Sequence, residues 1–157
     1  MELMIKQRIF SWTDTYDVYD SSGNPKYFVK GEFFSLGHRI HIYDKHTGEE
    51  LGSVAQRLLT LLPTFDISMG GSVVGTVKKK FTFFTQDYQV DYRGWDVSGD
   101  FLGWDYRVTH GNREVLSISK ELFRFTDTYR IRFADPADEI PGLMLVIAID
   151  AVNCSKK

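Results

Sequence analysis

Apolar and polar residues alternate with a period of two along most of the chain. Ile40 and Ile42 alternate with His41 and Tyr43, and Tyr88, Val90 and Tyr92 with Gln89, Asp91 and Arg93. Trp95, Val97 and Phe101 share a parity opposed by Asp96, Ser98 and Asp100. Trp104, Tyr106 and Val108 face away from Asp105, Arg107 and Thr109, as Tyr129, Ile131 and Phe133 do from Arg130 and Arg132. Each run sets large apolar side chains on one face and solvated ones on the other, as a sheet with one wet face requires. Turn residues punctuate the runs at Ser22-Gly23-Asn24-Pro25, His46-Thr47-Gly48, Met69-Gly70-Gly71 and His110-Gly111-Asn112. The pattern predicts about a dozen strands joined mainly as a meander. No long amphipathic helical pattern interrupts them before the C-terminus, which argues against a βαβ architecture.

The chain also repeats itself. Residues 65–92 align with 106–133 without a gap. Phe65 and Ile67 match Tyr106 and Val108, Gly70 matches Gly111, and Val77 and Lys79 match Ile118 and Lys120. Phe84-Thr85 then matches Phe125-Thr126, and Tyr88 and Val90 match Tyr129 and Ile131. A weaker copy runs from Ile42 through Gly48, Gly52 and Val54, and the first hairpin, Tyr19-Asp20 to Gly23, echoes Tyr43-Asp44 to Gly48. A reused strand–turn–strand unit suits a sheet that closes on itself, because closure removes exposed edges. The variable spacing favours duplication within one fold over a solenoid.

The last segment breaks the pattern. After Pro141-Gly142 come Leu143 to Ile149, Asp150, Ala151 and Val152. A stretch apolar on every side belongs in an interior, whichever conformation it takes. Val146, Ile147, Ile149 and Val152 favour strand, whereas Leu143, Met144, Leu145, Ala148 and Ala151 favour helix. Its length suits a helix, but periodicity alone leaves the two open.

Composition narrows the classes. The chain has 157 residues, 43% hydrophobic and 25% charged, enough for one core and one domain spanning 1–157. Aromatic residues at 15% exclude a disordered chain. A net charge of −2 gives no bulk attraction for nucleic acid, so no nucleic-acid partner is expected. One cysteine, Cys154, excludes an intramolecular disulfide framework and a Cys-based zinc site. The N-terminus carries Glu2 and no apolar stretch of signal length, and no run approaches the ~20 residues of a membrane span. A cytoplasmic location is the resulting expectation.

At this point the residues resemble a known family. The stretch Val18 to Gly31 looks like the opening hairpin of the LURP-one-related family, followed by Phe34-Ser35-Leu36-Gly37 and then Ile40 to Asp44. Lys78-Lys79-Lys80 and the ending Leu145 to Asp150 match as well. The resemblance covers nearly the whole chain through short motifs in the right order. It implies a mainly β, tubby-like fold: a closed antiparallel barrel of about twelve strands around a buried hydrophobic C-terminal helix, here at about residues 142–153. Leu143, Leu145, Val146, Ile147, Ile149 and Asp150 then form a structural core helix. A wide barrel needs such a filler, because wall side chains alone do not reach its axis.

Few residues carry chemistry. His38 and His41 fall on opposite faces of one strand, and His46 and His110 lie in turns, so no metal site is expected. Neither a Gly-x-Ser-x-Gly elbow, a phosphate-cradling loop nor a His-Glu-x-x-His pair is present, and no cofactor or catalytic residue is assigned. Asp96, Asp100 and Asp105 surround Gly94-Trp95-Asp96 and Gly103-Trp104-Asp105, a pairing of aromatics and acids known from sugar sites. Alternation reads it instead as strand punctuation. Asp150 requires a partner or a proton inside its apolar segment. Lys78, Lys79 and Lys80 form the sole basic run and the candidate contact for lipid headgroups, with Lys79 turned opposite to its neighbours; a solvated strand with Lys79 snorkelling at the barrel rim is the plainer reading of the same pattern. The phosphoinositide binding of the more distant tubby proteins points the same way, although none of their ligand motifs matches here.

The leading expectation is a non-catalytic binding or regulatory barrel of unknown ligand, and the specific candidate within it is contact with an anionic lipid or membrane surface. Alternatives are a scramblase-like membrane activity and an unrecognised hydrolase. The chain lacks the Pro-rich extension, cysteine cluster and calcium-linked segment of the scramblases, and no nucleophile stands beside a base.

Overall fold

The computed structural model describes residues 1–6, 15–34, 37–81, 86–100, 103–122 and 127–154. Ser35, Leu36, Phe84, Thr85, Phe101, Phe125, Thr126 and residues 155–157, which the motifs, repeat and domain range include, lie outside them, as does the Cys154 side chain. Twelve strands follow one another: β1 (Glu2–Lys6), β2 (Thr15–Asp20), β3 (Pro25–Phe34), β4 (Gly37–Asp44), β5 (Glu50–Gln56) and β6 (Thr64–Met69). Then come β7 (Ser72–Phe81), β8 (Gln86–Tyr92), β9 (Asp96–Asp100), β10 (Asp105–His110), β11 (Arg113–Leu122) and β12 (Asp127–Phe133). A short 3-10 turn, Pro136–Asp138, leads into the single α-helix among the described residues, α1 (Glu139–Cys154).

All neighbouring strands are antiparallel, in the order β8-β7-β6-β5-β4-β3-β2-β1-β12-β11-β10-β9. Pairing of β1 with β12, from Glu2 opposite Arg132 to Lys6 opposite Thr128, bends the sheet round on itself. Its edges, β8 and β9, are consecutive in the chain, yet no ladder joins them among the described residues. The barrel is therefore nearly closed. Exposed Asp91 on β8 and Asp96 and Asp100 on β9 put charge along both edges, which discourages pairing with another chain.

The wall's inner row includes Leu3, Val18, Val29, Ile40, Ile42, Val54, Phe65, Ile67, Val77, Val108 and Ile131, each fully buried. Inside it, every residue of α1 from Pro141 to Val152 is buried. A helix apolar all round is stable only when wrapped on every side, and the curled sheet supplies that environment. The helix begins at Glu139, earlier than the expected 142, because its entry is built further upstream. Asp135 accepts a hydrogen bond from the Ala137 amide and starts the 3-10 turn, so Pro141 sits in the first turn of α1, where a missing N–H costs no intrahelical bond.

Close approach to the helix relies on glycine at Gly52 and Gly142. A Cβ on Gly52 of β5 would stand 2.6 Å from the Ser68 carbonyl oxygen and 2.7 Å from the Met144 Cε. One on Gly142 would meet the Phe133 ring at 2.5 Å and Leu116 at 2.7 Å. Buried acids fix the helix entry: Glu139 accepts from the Tyr27 hydroxyl at 2.7 Å and pairs with Lys26 at 2.7 Å. Arg113 reaches Asp138 at 3.1 Å. Burial first, and then the Glu139 bond, push the Tyr27 phenol far above its ordinary value, so it remains a donor.

Candidate functional site

The basic run lies on β7, whose alternation decides where each lysine points. Val77 is fully buried, and Lys79, two residues on, turns the same way and is half-buried at the inner rim. Lys78 and Lys80 project outward and are exposed. Lys79 stands opposite Tyr88, whose hydroxyl donates to Asn153 near the end of α1. On the outer side Lys78 stands opposite Thr64 and Gln89, and Lys80 opposite Asp87. The structure thus brings together two of the three predicted residues as a surface and assigns the third to the rim.

Partners distinguish these lysines from others. Lys26 pairs with Glu139, Lys45 with Asp17 at 3.1 Å and Lys30 with Glu32 at 3.5 Å. Among the described residues no carboxylate pairs with Lys78, Lys79 or Lys80. The nearby Asp66, on the same outer surface, is already engaged by Arg57 at 2.6 Å and by the Thr76 hydroxyl at 3.0 Å. Lys78 and Lys80 therefore present positive charge on the exposed outer face of β7.

The remaining candidates pack into the wall or helix or point to solvent. Trp95 is buried edge-on against Tyr92, with centroids 5.5 Å apart, and Trp104 lies over Tyr129 at 4.0 Å. Asp96 and Asp105 point to solvent, while Asp100 accepts from the Gly103 amide at 2.9 Å. Both indole rings thus pack on wall aromatics while the acids beside them, Asp96 and Asp105, are exposed. The predicted core residues Leu143, Leu145, Val146, Ile147, Ile149 and Asp150 are all buried in α1. Asp150 lies near enough to Tyr106 that its charge adds to burial in raising that phenol well above its ordinary value.

Two features escape a reading of local pattern. His41 sits on the outer face of β4 between Glu50, 2.5 Å from Nδ1, and Glu32, 3.3 Å from Nε2. It borders a groove of about 300 Å³ that also includes Ser53, its cross-strand neighbour. Both ring nitrogens face carboxylates, so neither is placed to take a proton from Ser53. Only the register between strands, which no local motif encodes, assembles this cluster. The second feature is the β5–β6 loop, residues 57–63, where Leu58, Leu59 and Leu61 are exposed. A leucine-rich run without alternation and ended by Pro63 is its sequence signal.

Comparison with known proteins now decides the family. The model of the family described as LURP-one-related matches residues 1–150. The chain belongs to the LURP-one-related family. A Bacillus subtilis (strain 168) relative, described as uncharacterized protein YxjI, is 33% identical over 152 residues, covering 97% of this chain and 93% of that one. The X-ray structure of the Arabidopsis thaliana protein AT5G01750 superposes with a TM-score of 0.62 at 19% identity, over 97% of this chain and 91% of that one. That likeness establishes the fold: this LURP-one-related chain has the tubby-like barrel with its internal helix. Among the described residues no helix is long and apolar enough to cross a membrane.

Proposed function

We propose that this LURP-one-related barrel is a non-catalytic binding domain whose β7 face contacts anionic lipid headgroups. Lys78 and Lys80 make the contact and Lys79 borders it from the rim. The observation that carries the reading is the outward pair of lysines without a carboxylate partner among the described residues, in a chain whose net charge is −2. A local patch has to supply the attraction that the whole molecule lacks. In a cytoplasmic setting the partner is the anionic inner leaflet, where each basic side chain near the surface strengthens binding about fivefold.

Co-sedimentation with vesicles of phosphatidylcholine containing one-third phosphatidylglycerol tests this at low and high salt. The expected result is binding that weakens with salt and falls at least tenfold when Lys78, Lys79 and Lys80 all become Ala. Binding unchanged by that triple substitution removes the patch from the reading.

A further inference from the structure

The β5–β6 loop stands directly beside the basic run. Its two legs are fixed: the Arg57 amide donates to the Thr64 carbonyl at 2.8 Å, and the Lys79 amide donates to the Pro63 carbonyl at 2.9 Å. Between them the chain holds its leucines in water. Leu59 is 105% exposed and Leu61 95%, against 46% for Leu58, which rests near Gly37 of β4. Leu59 also has φ +57°, in the left-handed region that L-residues with side chains seldom occupy. A strained backbone that presents apolar side chains to solvent opposes both local preference and the hydrophobic effect.

We infer that this loop is a bilayer-inserting tip, with Leu59 and Leu61 entering the boundary between headgroups and acyl chains of an anionic membrane while Lys78 and Lys80 hold the headgroups beside them. The inference rests on the headgroup reading above and adds the apolar half of the contact. Charge complementarity selects the occupant, because the loop that carries the leucines is bonded at Pro63 to Lys79, and Lys78 and Lys80 on either side have no carboxylate partner among the described residues. Size supports it: two or three leucine side chains fall well short of the ~800 Å² per partner of a standard protein interface. An apolar tip with a basic flank has the composition of an interfacial anchor, which enters only to the depth of the headgroup boundary.

Two double variants and a probe test the inference. In Leu59→Ser/Leu61→Ser both changed side chains are solvent-exposed, so the thermal midpoint should match wild type. Its partition onto the phosphatidylglycerol-containing vesicles should fall about tenfold or more, and the part of wild-type binding that survives high salt should vanish. An environment-sensitive dye on Leu61→Cys, in a Cys154→Ser background, should shift to the blue on adding these vesicles. If the serine variant binds as wild type while Lys78→Glu/Lys80→Glu loses binding, insertion is overturned and headgroup contact stands. Wild-type chain that stays in the supernatant at low salt overturns both. Equal binding to pure phosphatidylcholine overturns the anionic component, and a wild-type dimer that the serine variant dissolves assigns the loop to a second copy instead.

Discussion

The β6–β8 and β10–β12 units are built alike and used differently. Their boundaries correspond throughout, Thr64 with Asp105 and Tyr92 with Phe133. Phe65 stands opposite Val77 as Tyr106 does opposite Ile118, and both ladders slip at the same step, Ile67/Ser68 and Val108/Thr109. The second copy lies inside the sheet, with β12 bonded to β11 and β1; the first ends on the open edge at β8. At the positions of Lys78 and Lys80 the second copy has Ser119 and Glu121. There Arg130 joins Glu121 and Glu2, each at 2.8 Å, and Arg132 joins Glu2 at 2.8 Å. One unit thus uses its outer charges to fasten β1 to β12, while in its counterpart Lys78 and Lys80 have no carboxylate partner among the described residues. A shared backbone fixes neither role; side chains at matched positions assign them.

Both copies also grip the start of α1, by different means. Leu116 and Phe133 close on Gly142, whereas Gly75 makes room for the Tyr92 ring, whose hydroxyl donates to the Pro141 carbonyl at 3.0 Å. The largest expected effect comes from Phe133→Ala, which empties buried volume against the helix and should cost about 3–5 kcal/mol in urea unfolding. Gly75→Ala should cost about 1–3 kcal/mol, since its Cβ would meet the Tyr92 ring at 2.3 Å. Tyr92→Phe keeps the ring and loses one hydrogen bond, for about 1 kcal/mol. A first-copy grip that tolerates Gly75→Ala without loss would show that the two units do not share this duty.

Charge provides the gentler test. Glu2 is held below its ordinary value of 4.5 mainly by Arg132 and Arg130, and Glu121 mainly by Arg130. Carboxylates lowered on folding stabilise the native state fully above that ordinary value, and the contribution is lost as pH falls through their depressed values. Urea midpoints measured from neutral to acid pH should therefore decline less in Arg130→Gln than in wild type, starting from a lower neutral value. Smallest of all, Lys78→Glu/Lys80→Glu should leave the urea midpoint nearly unchanged, within about 0.5 kcal/mol per site. A large shift there would mean that the first copy's charges are structural after all.

Much of this architecture is legible from alternation, turn residues and the internal repeat, because a two-residue period and a glycine turn are local properties. Residues 65–92 and 106–133 can be matched by eye, and the strands they form match in turn. The helix is ambiguous to periodicity, since an apolar run reads alike in either conformation, and family likeness resolves it. Its true start at Glu139 was obscured by Pro141, which suggests a boundary but sits inside the first turn. Pairings across the fold were not legible: Tyr27 meets Glu139 across 112 positions, and Glu32, His41 and Glu50 converge only through the register of three strands. Of the candidate surface, parity already separates Lys79 from Lys78 and Lys80. Exposure of the leucines is a property of the tertiary fold alone, because hydrophobicity by itself argues for burial.

That no ladder joins β8 and β9 among the described residues bears on how such a molecule is made. During synthesis all twelve strands emerge before the segment that fills them, so the growing chain must carry an interior surface with nothing yet to cover it. A ring welded shut would have to admit a sixteen-residue helix through one end. A strip with one unsealed joint can curl progressively and finish closing around the late arrival.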